Sequence, residues 1–148
     1  MSVLATIKLI KRELYKEAVV FIKIGAFYNV YFNDAIIISF LLGYKMKILD
    51  GNVENCGFPE SSLKNIKFLL KEKKIDYIVI NDAHDYDDCE RETFGEQNSY
   101  TKCCCEAAKF ILRRKHIEDI NRTLIENINS FEIDRILGEI DNVVMGLN

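Results

Sequence analysis

A chain of 148 residues holds one domain with a real hydrophobic core and leaves no room for two large ones. Apolar residues make up 49% and charged residues 29%, a globular composition, and no apolar run approaches the about 20 residues of a membrane span. The net charge of −3 hides an asymmetry: residues 1–80 carry 12 Lys and Arg against 8 Asp and Glu, and residues 81–148 carry 8 against 15. The first part is therefore the one suited to meet phosphate.

The N-terminus lacks a basic region followed by an apolar core and a small-residue cleavage site. Five cysteines, bunched at Cys103, Cys104 and Cys105, do not make a disulfide framework. Together these predict a cytoplasmic protein with reduced thiols.

In chain order, Ser2 is positioned to cap a first helix with Val3, Ile7, Ile10 and Leu14 on one face and Lys8, Lys11, Arg12, Glu13 and Lys16 outside. Val20, Ile22 and Ile24 then alternate with Phe21 and Lys23, the period of a strand. Gly25 supplies a sharp turn, and a second aromatic strand follows in which Phe27 and Asn29 project together. Asn33 is placed to cap a second helix, Asp34 to Leu42, apolar nearly all round and ended by Gly43. Its acidic first residue suits the positive helix end.

Tyr44 to Leu49 reads as a strand with Lys45 and Lys47 on one face, Asp50-Gly51-Asn52 as a turn, and Val53 to Phe58 as the return strand. Pro59 closes that hairpin, and Ser61 or Ser62 can cap a third helix whose buried side is Leu63, Ile66, Phe68, Leu69 and Leu70. Tyr77 to Ile80 reads as a central strand, apolar on both faces. The acidic stretch 83–98 reads as a linker or surface loop. From Ser99 the period is helical again, with Cys103, Ala107, Phe110 and Ile111 on one stripe. Asn129 with Glu132 predicts a capping box before a last helix. The division expected is 1–82 as an α/β domain, 83–98 as linker and 99–148 as a C-terminal helical hairpin. Such a hairpin cannot bury both its stripes alone and must pack on the α/β part or on another copy.

Four pieces, Phe21-Ile-Lys-Ile-Gly-Ala-Phe-Tyr-Asn, Phe32-Asn-Asp-Ala, Leu41-Leu-Gly-Tyr-Lys and Cys56-Gly-Phe-Pro, occur in order and at sensible spacing between Phe21 and Ile80. Taken together they resemble the N-terminal mismatch-recognition domain (domain I) of MutS-type DNA mismatch repair proteins. The resemblance implies an α+β fold with a mixed β-sheet packed with helices. It also implies a ring at Phe27 that enters the minor groove at a mispaired site and kinks the duplex. Unstacking one step costs a few kcal/mol, and a mismatch has already lost part of that stacking. Asn29 stands where the family has Glu, and Ala26 where it has Asp; a neutral amide can still donate to minor-groove acceptors.

The DNA-contacting set implied is Phe27 and Asn29 with Lys23, Lys45 and Lys47 as phosphate anchors. Lys8, Lys11, Arg12 and Lys16 fit either phosphate contacts or a solvated face. No G-x-x-x-x-G-K-[ST] loop occurs, so the expectation is a free-standing, non-catalytic relative of the sensor domain with no cofactor. Its expected partner is distorted or mismatched duplex DNA. The rival expectation is a protein-interaction module that keeps the fold and forms a homodimer or docks a partner through residues 99–148. A metal-dependent nuclease using Asp82–Asp88 is the least supported: the cluster lacks the EF-hand order and its central Gly, and two-metal chemistry needs carboxylates converging from fixed elements.

Overall fold

The computed structural model describes residues 2–13 and 15–148; Leu14, expected on the inner face of the first helix, lies outside them. Two compact units are present, residues 1–111 and 112–148. In the first, helix α1 (Val3–Glu13) leads into β1 (Val19–Ile24) and β2 (Phe27–Tyr31), then α2 (Asn33–Leu42), β3 (Lys47–Leu49), β4 (Val53–Pro59), α3 (Leu63–Glu72), β5 (Tyr77–Asp82) and β6 (Asp85–Glu92). Helix α4 (Ser99–Glu126) begins in the first unit, and α5 (Ile133–Met145) lies in the second.

Among the described residues six strands form one mixed sheet in the order β3-β4-β2-β1-β5-β6. Only β1 and β5 pair in parallel; β1–β2, β2–β4, β3–β4 and β5–β6 are antiparallel. Strand alternation separates two cores. On one face Phe21, Tyr28, Val30, Phe58 and Val79 pack with Ile37, Ile38, Ile66 and Leu70 of α2 and α3 and with Tyr100 and Cys103 of α4. Phe21 meets Phe58 edge-on at 5.7 Å, and Tyr28 stacks on Phe58 at 5.9 Å. On the other face Val20, Ile22, Tyr31, Ile78 and Ile80 pack under Ile7 of α1.

Several local expectations are met. The Ser2 hydroxyl accepts from the Ala5 N–H at 3.2 Å, and Gly43 takes φ 71° after α2. Others are corrected. Asn33 is not a cap but the first helical residue, because the Phe32 carbonyl already accepts from Ala35 and Ile36. Ser62 continues a short 3₁₀ turn directly into α3, and its hydroxyl partners that of Tyr44 at 3.1 Å. Asn129 and Glu132 form no capping box; the Ser130 hydroxyl accepts from the Glu132 N–H at 3.4 Å instead. The strand expected from Tyr44 starts only at Lys47, because the Tyr44 carbonyl accepts from Ser39 Oγ at 2.5 Å, which ties this segment to α2.

The stretch read as an acidic linker or loop holds β6. Asp82 and Asp85 pair across a tight turn, and the Asp82 carboxylate accepts from the His84 N–H at 2.8 Å. An edge strand satisfies its backbone on one side only, so side chains as charged as these suit it and protect that edge. Tyr77 donates its hydroxyl to Glu92 at 2.5 Å, and Lys67 pairs with Glu90 at 2.9 Å, which fastens the strand to the body of the domain.

The second unit is a pair of helices with little interior. No residue of α5 is buried, and Ile117, Ile125, Ile128, Phe131, Val143 and Met145 are exposed. Among the described residues no helix is long and apolar enough to cross a membrane.

The thiols follow their burial. Cys56 and Cys103 are buried, and desolvation pushes each up to about 11, whereas Cys105 is exposed. At pH 8 a thiol of pKa about 11 is only about one part in a thousand thiolate. Limited alkylation of the native protein is therefore expected to label Cys105 first and Cys56 last, as read by peptide mass spectrometry.

Candidate nucleic-acid interface

The β1–β2 hairpin places the candidate site. Gly25 takes φ 66°, a conformation a glycine adopts without penalty, and reverses the chain within two residues. Across the sheet Phe27 stands between Ile24 of β1 and Pro59 of β4, all on one face. Phe27 is 52% exposed and Ile24 is 42% exposed, so the pair forms an apolar ridge at the end of the sheet. The ridge is braced. The Glu60 N–H donates to the Ala26 carbonyl at 3.1 Å, and Tyr28 donates to the Asn81 side chain at 3.1 Å. A recess of about 280 Å³ opens beside the turn, between Lys23–Gly25 and Asn81–His84.

Asn29 lies one row further along the same face, opposite Ile22 and Gly57. A Cβ at Gly57 would come within 3.1 Å of the Asn29 Oδ1, so the glycine gives this amide its room. Asn55, buried, donates from Nδ2 both to the Val30 carbonyl and to Asn29 Oδ1, each at 3.2 Å. A backbone carbonyl only accepts, so Asn55 must present its NH₂ group here, and Asn29 must answer with its oxygen. The Asn29 oxygen is thus taken, which leaves its NH₂ available on the face it shares with Phe27, two residues along the strand.

The basic residues are distributed differently from the expectation. Lys23 projects from the opposite face to Phe27 and Asn29, since it pairs with Tyr28 in the register. Its ammonium meets Glu60 at 3.0 Å, and that hydrogen bond raises its pKa. It braces the hairpin. Lys47, paired with Asn55, shares the face of Asn29 but sits roughly 16 Å from Phe27, counting four residues along and two strands across. Lys45 is exposed in the segment before β3. The structure thus brings together Phe27, Asn29, Ile24, Asn55 and Gly57, with Lys47 at a distance. Asn55 was not singled out from the sequence, and Gly57 entered only within the Cys56-Gly-Phe-Pro piece; the two-residue spacing of Asn55 and Gly57 on a strand was the available signal.

Residues 7–90 match the family model described as MutS domain I. The chain belongs to the MutS domain I family. The match reaches beyond Phe21–Ile80 to take in much of α1 and of β6. The DNA mismatch repair protein MutS of Borreliella burgdorferi strain ZS7 is 38% identical over 66 residues, 43% of this chain. Those of Borrelia garinii subsp. bavariensis strain PBi and Borreliella afzelii strain PKo are 36% identical over the same length. The chain spans about 8% of the length of these relatives. Within this MutS domain I the hairpin, ridge and Asn29–Asn55 pair all fall inside the matched residues.

Proposed function

We propose that this MutS domain I binds duplex DNA without catalysing a reaction on it and prefers sites that unstack or bend easily, with Phe27 as the inserting ring. The observation that carries the reading is the half-exposed Phe27 on a braced hairpin, where most aromatic strand residues of this domain are buried. An apolar wedge pressed into the minor groove exacts an unstacking cost of a few kcal/mol, and a mispaired step has already lost part of its stacking. Asn29 supports this role, since its available NH₂ matches the acceptors that every minor-groove step presents. Lys47 and Lys45 serve as backbone contacts outside the ridge, and Lys23 serves to hold the hairpin.

The test is a titration of matched and singly mismatched duplexes at two salt concentrations. The expected result is affinity that falls steeply with salt for both duplexes, with the mismatched one bound about tenfold tighter at either salt. Equal affinity for the two duplexes would overturn the preference.

A second reading is favoured by the exposed apolar residues of α5 and the end of α4: the domain carries an interaction module that docks a protein through residues 112–148. Absence of DNA binding at low salt in the same titration would leave this reading standing alone.

A further inference from the structure

A cavity of about 610 Å³ opens between α1 and the start of α2, at the opposite end of β2 from Phe27 and roughly 17 Å away along the strand. It falls in the size range of small-molecule sites. Among the described residues its lining holds four cations, Lys8, Lys11, Arg12 and Lys16, and no carboxylate. Lys11 is committed elsewhere: its ammonium holds the buried Asp34 at 2.7 Å and also donates to the Ala18 carbonyl. Lys8, Arg12 and Lys16 are exposed, and among the described residues the acidic partner of Arg12 is its sequence neighbour Glu13, at 2.7 Å on the surface. An exposed pair of this kind is weak and gives way readily to a better anion.

The rest of the wall mixes apolar side chains with Asn33 and Tyr100. Ala5, Leu9 and the Phe32 ring line it, and the Lys8 ammonium lies 6.0 Å from the Phe32 ring centre. Phe32 takes φ 57° and ψ −134°, a backbone conformation that is costly for a bulky residue. Strain of this sort is kept where the surroundings over-determine it, often at ligand sites. The wall therefore offers cations and a flat apolar ring to a single volume.

We propose that this cavity binds a nucleotide, with its phosphate on Lys8, Arg12 and Lys16 and its base against Phe32 and Leu9. A phosphate ester alone would use only the cations, and an apolar ligand alone would use only the ring. The nucleotide is free in solution or is the phosphorylated end of a DNA strand; the shared chemistry is a terminal phosphate carried by a planar base. This site goes beyond the wedge reading and does not depend on it.

The full chain is titrated at low salt with the four deoxynucleoside monophosphates, the matching nucleosides, inorganic phosphate and a short single strand with or without a 5′-phosphate. Binding of at least one monophosphate is expected, about tenfold or more tighter than its nucleoside and than inorganic phosphate. Lys8→Ala, Arg12→Ala and Lys16→Ala are each expected to weaken it about tenfold with the urea midpoint unchanged, since all three side chains are exposed. Phe32→Leu is expected to erase the advantage of nucleotide over inorganic phosphate. Tighter binding of the 5′-phosphorylated strand than of any mononucleotide identifies the strand end as the ligand, and the reverse identifies the free nucleotide. No monophosphate or phosphorylated strand bound at about 1 mM, phosphate bound as tightly as nucleotide, or affinity unmoved by the three cation substitutions would each overturn the proposal. Phe27→Ala is expected to leave nucleotide affinity unchanged, which keeps failure of the wedge distinct from failure of this site.

Discussion

Asp34→Ala is expected to lower the unfolding free energy by about 3–5 kcal/mol, read from urea titration of the purified protein. Asp34 is 1% exposed. Its carboxylate accepts from Lys11 Nζ at 2.7 Å, from the Val20 N–H at 3.0 Å and from the Tyr100 hydroxyl at 2.5 Å. One side chain on α2 thus ties α1, β1 and the start of α4. Burial pushes its carboxyl pKa up, while Lys11, Tyr100 and the Val20 N–H pull it back down. The pair itself adds little net stability, because the attraction must first offset the desolvation of both charges. The loss on mutation comes from what is left behind. Lys11, only 12% exposed, keeps an ammonium with no counter-charge, and a buried hydroxyl and N–H lose their acceptor. Tyr100→Phe removes one of these bonds and leaves the charges paired, so about 1–2 kcal/mol is expected there. An Asp34→Ala protein within 1 kcal/mol of the parent in that urea titration would show that the cluster is not holding these elements together.

Phe27→Ala is expected to remove the preference for a mismatched over a matched duplex, from about tenfold to about one, while the salt dependence of binding persists. Phe27 is half-exposed and sits on a hairpin held by backbone pairing to Ile24 and Pro59. Truncating it therefore costs only about 1–2 kcal/mol of stability, below the range for a buried Phe. The phosphate contacts are separate side chains, so affinity for matched DNA should change little. Bending of the duplex, followed by energy transfer between its labelled ends, should disappear with the ring. A variant that keeps both the preference and the bend would assign the wedge to some other group, with Ile24 the neighbouring candidate.

Much of the first unit was legible along the chain. Alternation in Val20–Ile24 and in Phe27–Phe32 marks strands, because successive side chains point to opposite faces whatever the partner strand is. The run Ala35–Leu42 announces a buried helix, because no face of it is polar enough to meet water. Gly25 and Gly43 mark turns through conformations other residues avoid. Such signals are local, and local chemistry is enough to produce them. The pairing of Phe27 with Asn29 on one face belongs to the same class.

What waited for the tertiary structure depends on residues far apart in sequence. Whether Lys23 accompanies Phe27 is decided by the β1–β2 register, which puts Lys23 on the other face against Glu60, 37 positions along. Strand β6 is too charged to be read as a strand; it exists because β5 supplies one row of backbone partners and solvent accepts the rest. Asp34, by its helix position, suggests a residue favoured by the helix dipole, yet it is buried by partners 23 and 66 residues away. Asn55 is one polar strand residue among many until the fold sets its amide between Val30 and Asn29. By itself the sequence determined where backbone would coil, extend and turn. Only the packed chain decided which side chains face each other, because burial and hydrogen-bond partnership belong to pairs of segments and not to either one alone.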